Sequence, residues 1–428
     1  PGGPAVEKAI LHFEDQVSSD LLEGKTFVIS HSAPGWGGNT QVTKMNARNA
    51  YLSDADGAEI QGSESNYVTV EYSVQYGTYS FLANNSAFVY NFTSSLNAWI
   101  DEATLAVSIN SGKTVKIDGV EYNQLLAEKV TFDEFVVPSL ENWKLDGTHT
   151  YEDDEYGEIT LKYAAYEPES LSGDQKNPLI IWLHGAGEGG TDPTIVLLGN
   201  EVTYLANDEI QSYFTSGSQT GAYILAVQSP TMWMDNGTGQ YGDGSTSKYT
   251  DALWSTIRAY VQDNGDIDET RIYVGGCSNG GFMTMNMLIT DTEDFFAAAF
   301  PICQAYNYSK IDAETKEKLA QKAIWFTHAA NDPTVDPNSY TNKLYVDLIN
   351  AGAENVYYSY FEDVTYDGTS YDGHWSWIYT LRNECKNIQP TQAEEGDLTV
   401  SDLDPTSTLT HDTYETLWAW MAAQQNTK

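Results

Sequence analysis

The stretch that decides the fold is RIYVGGCSNGGFMTMNML, residues 271–288. A short apolar run leads into a glycine-rich turn, and the residues after the turn have the character of a helix. Cys277 and Ser278 lie side by side in this turn, and glycines stand two residues before and two residues after Ser278. A turn centred on Cys277 would need glycine where Asn279 stands. The pattern therefore predicts a sharp G-x-S-x-G turn that exposes the Ser278 hydroxyl at a sheet edge and directs Cys277 inward.

The segments around this turn have the pattern of a parallel sheet covered by helices. Short apolar runs alternate with helical patterns such as KYTDALWSTIRAYVQDN; the runs are NPLIIWLHG, AYILAVQSP, RIYVGG, AAAFPIC, KAIWFTHAA and NVYYSYFED. Continuous apolar runs are typical of strands that are buried on both faces. We therefore predict an α/β fold over residues 141–428. A polar insertion at residues 386–410 should form a surface loop, and a last helix should lie within residues 411–425, capped by Asp412 or Thr413.

The first part of the chain has a different pattern, in which apolar and polar residues alternate. This period of two is present in KTFVISHSA, NYVTVEYSVQYGTYSFLA and SAFVYNFT. The segment GKTVKIDGVEY is typical of a hairpin. The segment LNAWIDEATLAV fits either a strand or a helix. We predict an all-β, immunoglobulin-like sandwich over residues 1–140. The segment SAPGWGGN, residues 32–39, fits an aromatic loop that contacts ligand, but an ordinary glycine-rich turn explains it better.

The composition excludes several classes of partner. The chain has 61 acidic and 21 basic residues, a net charge of -40, and a surface of this sign repels nucleic acid and anionic lipid. No apolar run approaches the ~20 residues that cross a bilayer. The chain begins PGGPAVEKAILHFED, which we interpret as the processed or trimmed start of an exported bacterial protein. Among Cys277, Cys303 and Cys385, one disulfide at most is possible, and none is demanded.

A nucleophilic serine needs a histidine base, and the base needs an acid to orient it. In hydrolases built on this turn, the acid and then the histidine follow the serine in the chain. Asp332 comes directly after the predicted strand KAIWFTHAA, which makes it our candidate acid, with Asp336 as the alternative. His328 ends that strand before the acid, so we expect it to have a structural role.

The base is then one of two histidines that follow the acid. His374 lies in the loop sequence YDGHWSW after a predicted strand, where its side chain can reach over the sheet edge. His411 lies at the entry to the last predicted helix. We therefore predict His374 as the base.

Acyl transfer also needs two backbone N–H donors that stabilise the oxyanion of the tetrahedral intermediate. The residue after the nucleophile, Asn279, supplies one. The second should come from IIWLHGAGEGG, residues 180–190, where a strand ends and small residues let the backbone approach a substrate. We predict Ala186 as this donor, with Gly185 and Gly187 as alternatives, and we expect His184 to be structural.

Five segments together carry a family resemblance: LHGAGEGG, DETRIYVGGCSNGG, FPIC, THAANDPTVDP and GHWSW. In order and context they resemble bacterial α/β-hydrolase esterases close to the prolyl-oligopeptidase-like and polyhydroxybutyrate-depolymerase-like branch. The resemblance covers roughly residues 155–428. Some members of this branch carry an N-terminal immunoglobulin-like domain, as this chain is predicted to do.

The resemblance also implies pocket residues. Trp233 in VQSPTMW is implied to reach the substrate pocket, and Gln304 and Trp375, next to a strand end and to the base, are implied to line it. The chain differs from its relatives at two places. Relatives often have Met where Asn279 stands and a glycine-rich turn where Gln304 and Ala305 follow PIC.

The sequence thus predicts a secreted serine carboxylester hydrolase that forms an acyl-enzyme. The implied substrates are small esters, acetyl or feruloyl esters on polysaccharide, or polymeric esters. We expect no cofactor and no metal, because the chain has no zinc-ligand spacing, no P-loop and no dinucleotide fingerprint. Two alternatives remain: a serine peptidase of prolyl-oligopeptidase type, and a non-catalytic carbohydrate-binding or adhesion protein. The oligomeric state is not predicted.

Overall fold

The computed structural model describes residues 3–34, 40–73, 86–91, 93–100, 104–125, 134–392, 397–408 and 414–426. The chain divides into two compact units. The larger unit comprises Pro138–Lys428 with Pro1 and Phe92–Leu96, and the smaller comprises Gly2–Asn91 and Asn97–Val137. The main change of unit falls between residues 137 and 138, and the domain bounds 1–140 and 141–428 stay a prediction.

The described strands of the first 137 residues form antiparallel sheets. The strands are β1 (Lys8–Ser18), β2 (Phe27–Pro34), β3 (Thr40–Ser53), β4 (Glu64–Tyr72), β5 (Phe88–Asn91), β6 (Leu96–Trp99), β7 (Thr104–Ile109), β8 (Val115–Ile117) and β9 (Val120–Tyr122). Seven of them form one sheet in the order β7-β2-β3-β4-β1-β8-β9, and β5 pairs with β6. The predicted all-β character of this part of the chain is confirmed.

Local sequence explains the strands of the smaller unit. Phe27 and Ile29 on β2, and Val68 and Val70 on β4, are fully buried in one core, as an apolar residue at every second position requires. The predicted hairpin joins β8 to β9. Its two turn residues, Asp118 and Gly119, have φ angles of 46° and 76°, the left-handed conformation that two-residue hairpins need.

Two other segments of this part of the chain were ambiguous in the sequence. All described residues of LNAWIDEATLAV except Ile100 lie in β6 or β7, so the described part of this segment forms strands. Residues 35–39, which make up most of the segment proposed as an aromatic loop, lie outside the described residues.

The larger unit contains a mostly parallel sheet of eight strands. They are β10 (Trp143–Asp153), β11 (Gly157–Tyr166), β12 (Asn177–Leu183), β13 (Tyr223–Gln228), β14 (Ile267–Cys277), β15 (Ala298–Ile302), β16 (Ile324–Ala329) and β17 (Val356–Phe361). Their order is β10-β11-β13-β12-β14-β15-β16-β17. The pairs β10/β11 and β11/β13 are antiparallel, and the other pairs are parallel. The predicted α/β-hydrolase fold is confirmed.

Helices and a small hairpin complete this unit. The helices are α1 (Pro193–Gly199), α2 (Asp208–Gln211), α3 (Thr250–Asp263), α4 (Asn279–Thr290), α5 (Ala313–Leu319), α6 (Thr341–Asn350), α7 (Trp377–Leu381) and α8 (Leu417–Ala423), and the hairpin strands are β18 (Val364–Tyr366) and β19 (Thr369–Tyr371). No helix among the described residues is long and apolar enough to cross a membrane.

Strand β12 shows why the apolar runs form the interior of this sheet. All of its residues are buried. Ile181 and Leu183 pack with residues of α3, α4 and α6, whereas Ile180 and Trp182 pack on the other face with residues of α1 and α8. Because successive side chains of a strand point to opposite faces, an apolar run is what a sheet covered on both sides requires.

The end of the chain differs from the prediction in two respects. Helix α8 begins at Leu417 and is capped by the Thr416 side chain, while the predicted caps, Asp412 and Thr413, lie outside the described residues. The insertion at residues 386–410 is not wholly a surface loop. Asn387 and Gln389 are buried. The Asn387 side chain accepts a hydrogen bond from the Tyr358 N–H at 2.9 Å, which ties this part of the insertion to β17.

Candidate active site

The turn at Ser278 joins β14 to α4 at the carboxyl edge of the parallel sheet. Ser278 has φ 54° and ψ -113°, a strained conformation for a residue with a side chain. Glycine is required on both sides, because a Cβ at Gly276 or Gly280 would overlap the carbonyl oxygen of Leu183 on β12. The Ser278 N–H donates to the Ile302 carbonyl of β15 at 2.9 Å. Close packing against two neighbouring strands thus holds the turn.

Cys277 and Ser278 differ sharply in their surroundings. Cys277 is fully buried, and burial, together with the neighbouring Cys303 sulfur, raises the pKa of its thiol well above the usual value. A thiol in this position stays protonated and is a poor nucleophile. Ser278 is only partly buried. The structure therefore favours Ser278 as the reactive member of the pair.

Asp332 and His374 are 42 residues apart in the chain and form a direct hydrogen bond. His374 Nδ1 lies 2.8 Å from Asp332 Oδ2. The other carboxylate oxygen accepts the backbone N–H groups of Thr334 and Val335, each at 2.8 Å. The two loops approach closely because position 373 is glycine, where a Cβ would overlap the backbone and side chain of Asn331.

His328 also holds the carboxylate of Asp332, a contact that the sequence analysis did not predict. Its Nε2 lies 3.0 Å from Asp332 Oδ2 and 3.0 Å from the Val335 carbonyl oxygen, so Nε2 carries the proton. Its Nδ1 lies 2.9 Å from the hydroxyl of Thr341. The spacing of four residues between His328 and Asp332 at a strand end was the signal available in the sequence. His328 therefore holds the Asp332 carboxylate in place.

These contacts shift the pKa of Asp332 and the pKa of His374. Burial on its own would raise the pKa of Asp332, but the hydrogen bonds from His328 and His374 hold it well below the usual range. Burial on its own would lower the pKa of His374, but the Cys303 sulfur and the Asp332 carboxylate outweigh burial and raise it. The pair therefore favours a carboxylate next to an imidazole that accepts a proton readily.

Cys303 links the Ser278 turn to this pair. Cys277 pairs with Ile302 across β14 and β15, so Ser278 lies beside Cys303, which has a positive φ of 37°. Donor atoms of Cys303, Asp332 and His374 lie within 4.8 Å of one another. Among the described residues, no hydrogen bond joins the Ser278 hydroxyl to His374. The strand register thus relates the Ser278 turn to Asp332 and His374 through Cys303, a cysteine for which the sequence predicts no role in the site.

The two candidate oxyanion donors occupy equivalent local positions. Asn279 is the first residue of α4, and Ala186 is the first residue of a 3₁₀ turn, Ala186–Glu188. The N–H of the first residue in a helical turn has no acceptor within the turn. Two hydrogen bonds hold the part of the loop after Ala186: the Gly190 N–H donates to the Ser229 carbonyl at 2.9 Å, and the Gln228 side chain donates to the Glu188 carbonyl at 2.9 Å.

His184 holds the start of the same loop and has a structural environment. It is fully buried, with Nδ1 2.6 Å from the Gly185 carbonyl oxygen and Nε2 3.0 Å from the Ser229 N–H. Burial lowers the pKa of His184 to about 4, although the bond to the Gly185 carbonyl acts in the opposite direction. The imidazole is therefore neutral, with its single proton on Nδ1.

The three residues implied to bind substrate are largely buried. Trp233 is 0% exposed and packs against His184, so its ring has no free surface. Gln304 is 1% exposed, and its amide bonds the Tyr306 N–H at 2.8 Å and the Thr341 hydroxyl at 3.4 Å. Trp375 is 8% exposed. In this structure Trp233 and Gln304 support the loops around Ser278, and contact of any of the three with a substrate stays a prediction.

The alternative site residues lie elsewhere. Asp336 is exposed, and its carboxylate accepts hydrogen bonds from the Asn338 N–H at 3.1 Å and the Ser339 hydroxyl at 2.6 Å, as in a local turn. His411 lies outside the described residues. Cys277, Cys303 and Cys385 are all free thiols.

Two family models match parts of this chain. Residues 230–342, which include Ser278 and Asp332, match the prolyl oligopeptidase family, and residues 1–123 match the esterase Ig-like N-terminal domain. A solved structure described as the crystal structure of a thermostable esterase is similar over 90% of this chain and 94% of its own, with a TM-score of 0.67 and 24% identity. The predicted resemblance and both parts of the predicted fold are confirmed.

Other solved structures are similar over smaller shares. A ferulic acid esterase is 16% identical, over 57% of this chain and 96% of its own, with a TM-score of 0.40. An acylaminoacyl peptidase from Pyrococcus horikoshii is 15% identical, over 69% of this chain and 50% of its own, with a TM-score of 0.39. No curated protein matches the sequence.

Proposed function

We propose that this protein is a serine esterase, with Ser278 as nucleophile, His374 as base and Asp332 as orienting acid. Two observations support the proposal: the 2.8 Å bond between His374 Nδ1 and Asp332 Oδ2, and the strained, glycine-flanked turn at Ser278. The match of residues 1–123 to an N-terminal domain of esterases favours ester over amide substrates.

The reaction has two stages. His374 takes the proton of the Ser278 hydroxyl as its oxygen attacks the ester carbonyl carbon, and the Asp332 carboxylate stabilises the resulting imidazolium. The N–H groups of Asn279 and Ala186 hold the oxyanion. The alcohol leaves with the proton from His374, and water then attacks the acyl-enzyme with His374 again as base. The acid is released and Ser278 regains its proton.

The substrate is proposed to be a carboxylic ester outside the cell. Candidates are small esters, acetyl or feruloyl groups on polysaccharide, and polymeric esters. The net charge of -40 disfavours anionic substrates at low ionic strength, because the surface repels them. No cofactor takes part in this mechanism.

A serine peptidase is the second candidate, since residues 230–342 match the prolyl oligopeptidase family. It would use the same nucleophile, base and acid. Hydrolysis of p-nitrophenyl acetate without hydrolysis of peptide p-nitroanilides favours the esterase, and the reverse result favours the peptidase. A screen over acyl-chain length, feruloyl esters and acetylated xylan then narrows the substrate class.

Labelling by a fluorophosphonate probe tests the nucleophile. The wild-type protein should become labelled, and Ser278→Ala should not. Cys277→Ala is the matched control, because this neighbouring side chain is buried in the core, and the variant should still be labelled. A wild-type protein that is not labelled would support a non-catalytic binding protein instead.

A further inference from the structure

Cys303, Asp332 and His374 form a buried cluster of three metal-ligating side chains. One donor atom from each lies within 4.8 Å of the other two. Cys303 is 0% exposed, and Asp332 and His374 are each 8% exposed. No proton or acyl group passes through the thiol in the proposed ester hydrolysis, although its sulfur helps to raise the pKa of His374. Its position against Asp332 and His374 therefore leaves room for a second role.

The separation of the three donor atoms suits a small cation. Three atoms that are no more than 4.8 Å apart leave a point within about 2.8 Å of all of them. Zinc binds Cys sulfur at about 2.3 Å, His nitrogen at about 2.0–2.1 Å and carboxylate oxygen at about 2.0–2.2 Å. Because 4.8 Å is an upper limit, shifts of no more than about 0.8 Å per atom bring all three to bonding distance. Cys303 directly follows β15, Asp332 lies in the loop after β16, and His374 lies in the 3₁₀ turn Gly373–Trp375, so all three are on connecting segments.

The charge of the three side chains and the type of their ligand atoms determine which cation fits the site. A thiolate and a carboxylate carry two negative charges, which a divalent cation neutralises, and a neutral assembly avoids the cost of a buried net charge. The thiol proton passes to solvent when the ion binds. Sulfur and imidazole ligands favour zinc and similar ions, whereas calcium and magnesium favour sites made of oxygen ligands.

We propose that Cys303, Asp332 and His374 bind one zinc ion and that the bound ion stops hydrolysis at Ser278. The ion takes the imidazole of His374 as a ligand, so the base can no longer accept the serine proton in the active geometry. The inhibition of hydrolysis by the bound ion rests on the proposed function, but the binding of zinc does not. Residues 303, 332 and 374 have no spacing typical of a zinc motif, which is why the sequence predicts no metal here.

Cobalt binding tests the site without any need for activity. Co²⁺ added to the wild-type protein should give thiolate-to-cobalt charge-transfer absorption in the near ultraviolet, at one ion per chain. Cys303→Ala and the isosteric Cys303→Ser should lose this band. Cys385→Ala is the matched control, since Cys385 is also buried but bonds Thr327 and Thr380, and it should keep the band. Absence of the band in the wild type, or its survival in Cys303→Ser, overturns the site.

Zinc inhibition tests the claim that the bound ion stops hydrolysis at Ser278. Buffered free Zn²⁺ should slow both p-nitrophenyl acetate hydrolysis and fluorophosphonate labelling of the wild type, and a chelator should restore both. Cys303→Ser should need at least about 100-fold more zinc, because it lacks the thiolate ligand. Ca²⁺ and Mg²⁺ at equal concentration control for cations that collect at the acidic surface, and they should have no effect.

The outcomes separate the two proposals. Equal zinc inhibition of the wild type and of Cys303→Ser overturns the metal switch and leaves the esterase intact. Cobalt binding at Cys303 without zinc inhibition overturns the switch but not the site. A wild-type protein that neither hydrolyses esters nor becomes labelled in the absence of zinc overturns the proposed function, and the cobalt band still decides the metal site.

Discussion

Moderate acid should destabilise this protein through one buried imidazole, His184. The side chain is 0% exposed, and its neutral form satisfies both ring nitrogens: Nδ1–H donates to the Gly185 carbonyl and Nε2 accepts the Ser229 N–H. A second proton, on Nε2, would face the Ser229 N–H donor in a fully buried site. The folded protein therefore resists this protonation, whereas the unfolded chain accepts it.

The magnitude follows from the two pKa values. Burial lowers the pKa of His184 from 6.5 to about 4 in the folded protein. The stability from the neutral imidazole is thus fully present above the unfolded value of 6.5 and is lost as pH falls towards the folded value of about 4. Between about pH 7.5 and about pH 5, proton linkage costs about 2 kcal/mol of unfolding free energy. This range stays above the isoelectric point of about 4.2.

Urea unfolding of the wild type and of His184→Gln measures this cost. A glutamine amide can donate to the Gly185 carbonyl and accept from the Ser229 N–H, but it does not titrate. Tryptophan fluorescence reports mainly on the larger unit, because nine of the eleven tryptophans lie in residues 138–428. The difference in unfolding free energy between the two proteins cancels the titration of all the other groups.

We expect that difference to change by about 2 kcal/mol between the two pH values, in the direction that favours the variant at low pH. Glutamine packs differently from histidine, so the two proteins also differ in unfolding free energy by an amount that does not depend on pH. This constant difference is not part of the test, which concerns only the change with pH. A difference that stays the same within about 0.5 kcal/mol would refute the view that burial holds His184 neutral.

Two further substitutions test the geometry of the site. Gly280→Ala should destabilise the protein by about 3 kcal/mol, because its Cβ overlaps the Leu183 carbonyl, whereas Gly265→Ala, with open space around it, should cost less than about 0.5 kcal/mol in the same urea titration. Equal costs would contradict the close packing of the turn. His328→Phe removes a donor to Asp332 and should lower kcat about tenfold with KM unchanged in steady-state ester hydrolysis, because the base is less well oriented. A rise in KM alone would contradict a positioning role.

Much of the fold could be predicted from sequence because its signals are local. Strand β12 is apolar throughout because both sheet faces are covered, and the turn Asp118–Gly119 needs residues that tolerate positive φ. The glycines around Ser278 are recognisable in the sequence as the G-x-S-x-G pattern, although the reason that glycine is required there is a contact with the distant strand β12. The order of acid and base along the chain was sufficient to name Asp332 and His374, which lie 2.8 Å apart, although their catalytic roles stay predictions.

Only the tertiary structure decided what each polar side chain near the turn contacts. His328 was predicted as structural, but its bond to the Asp332 carboxylate depends on how the loop after β16 folds back. The amide of Gln304, whose place in the pocket stays a prediction, donates to the Thr341 hydroxyl of α6, and no local pattern predicts this contact. The approach of Cys303 to His374 joins loops that are 71 residues apart. Backbone conformation follows from neighbouring residues in the chain, whereas these contacts depend on strand register and side-chain rotamers, which are set by packing between distant segments.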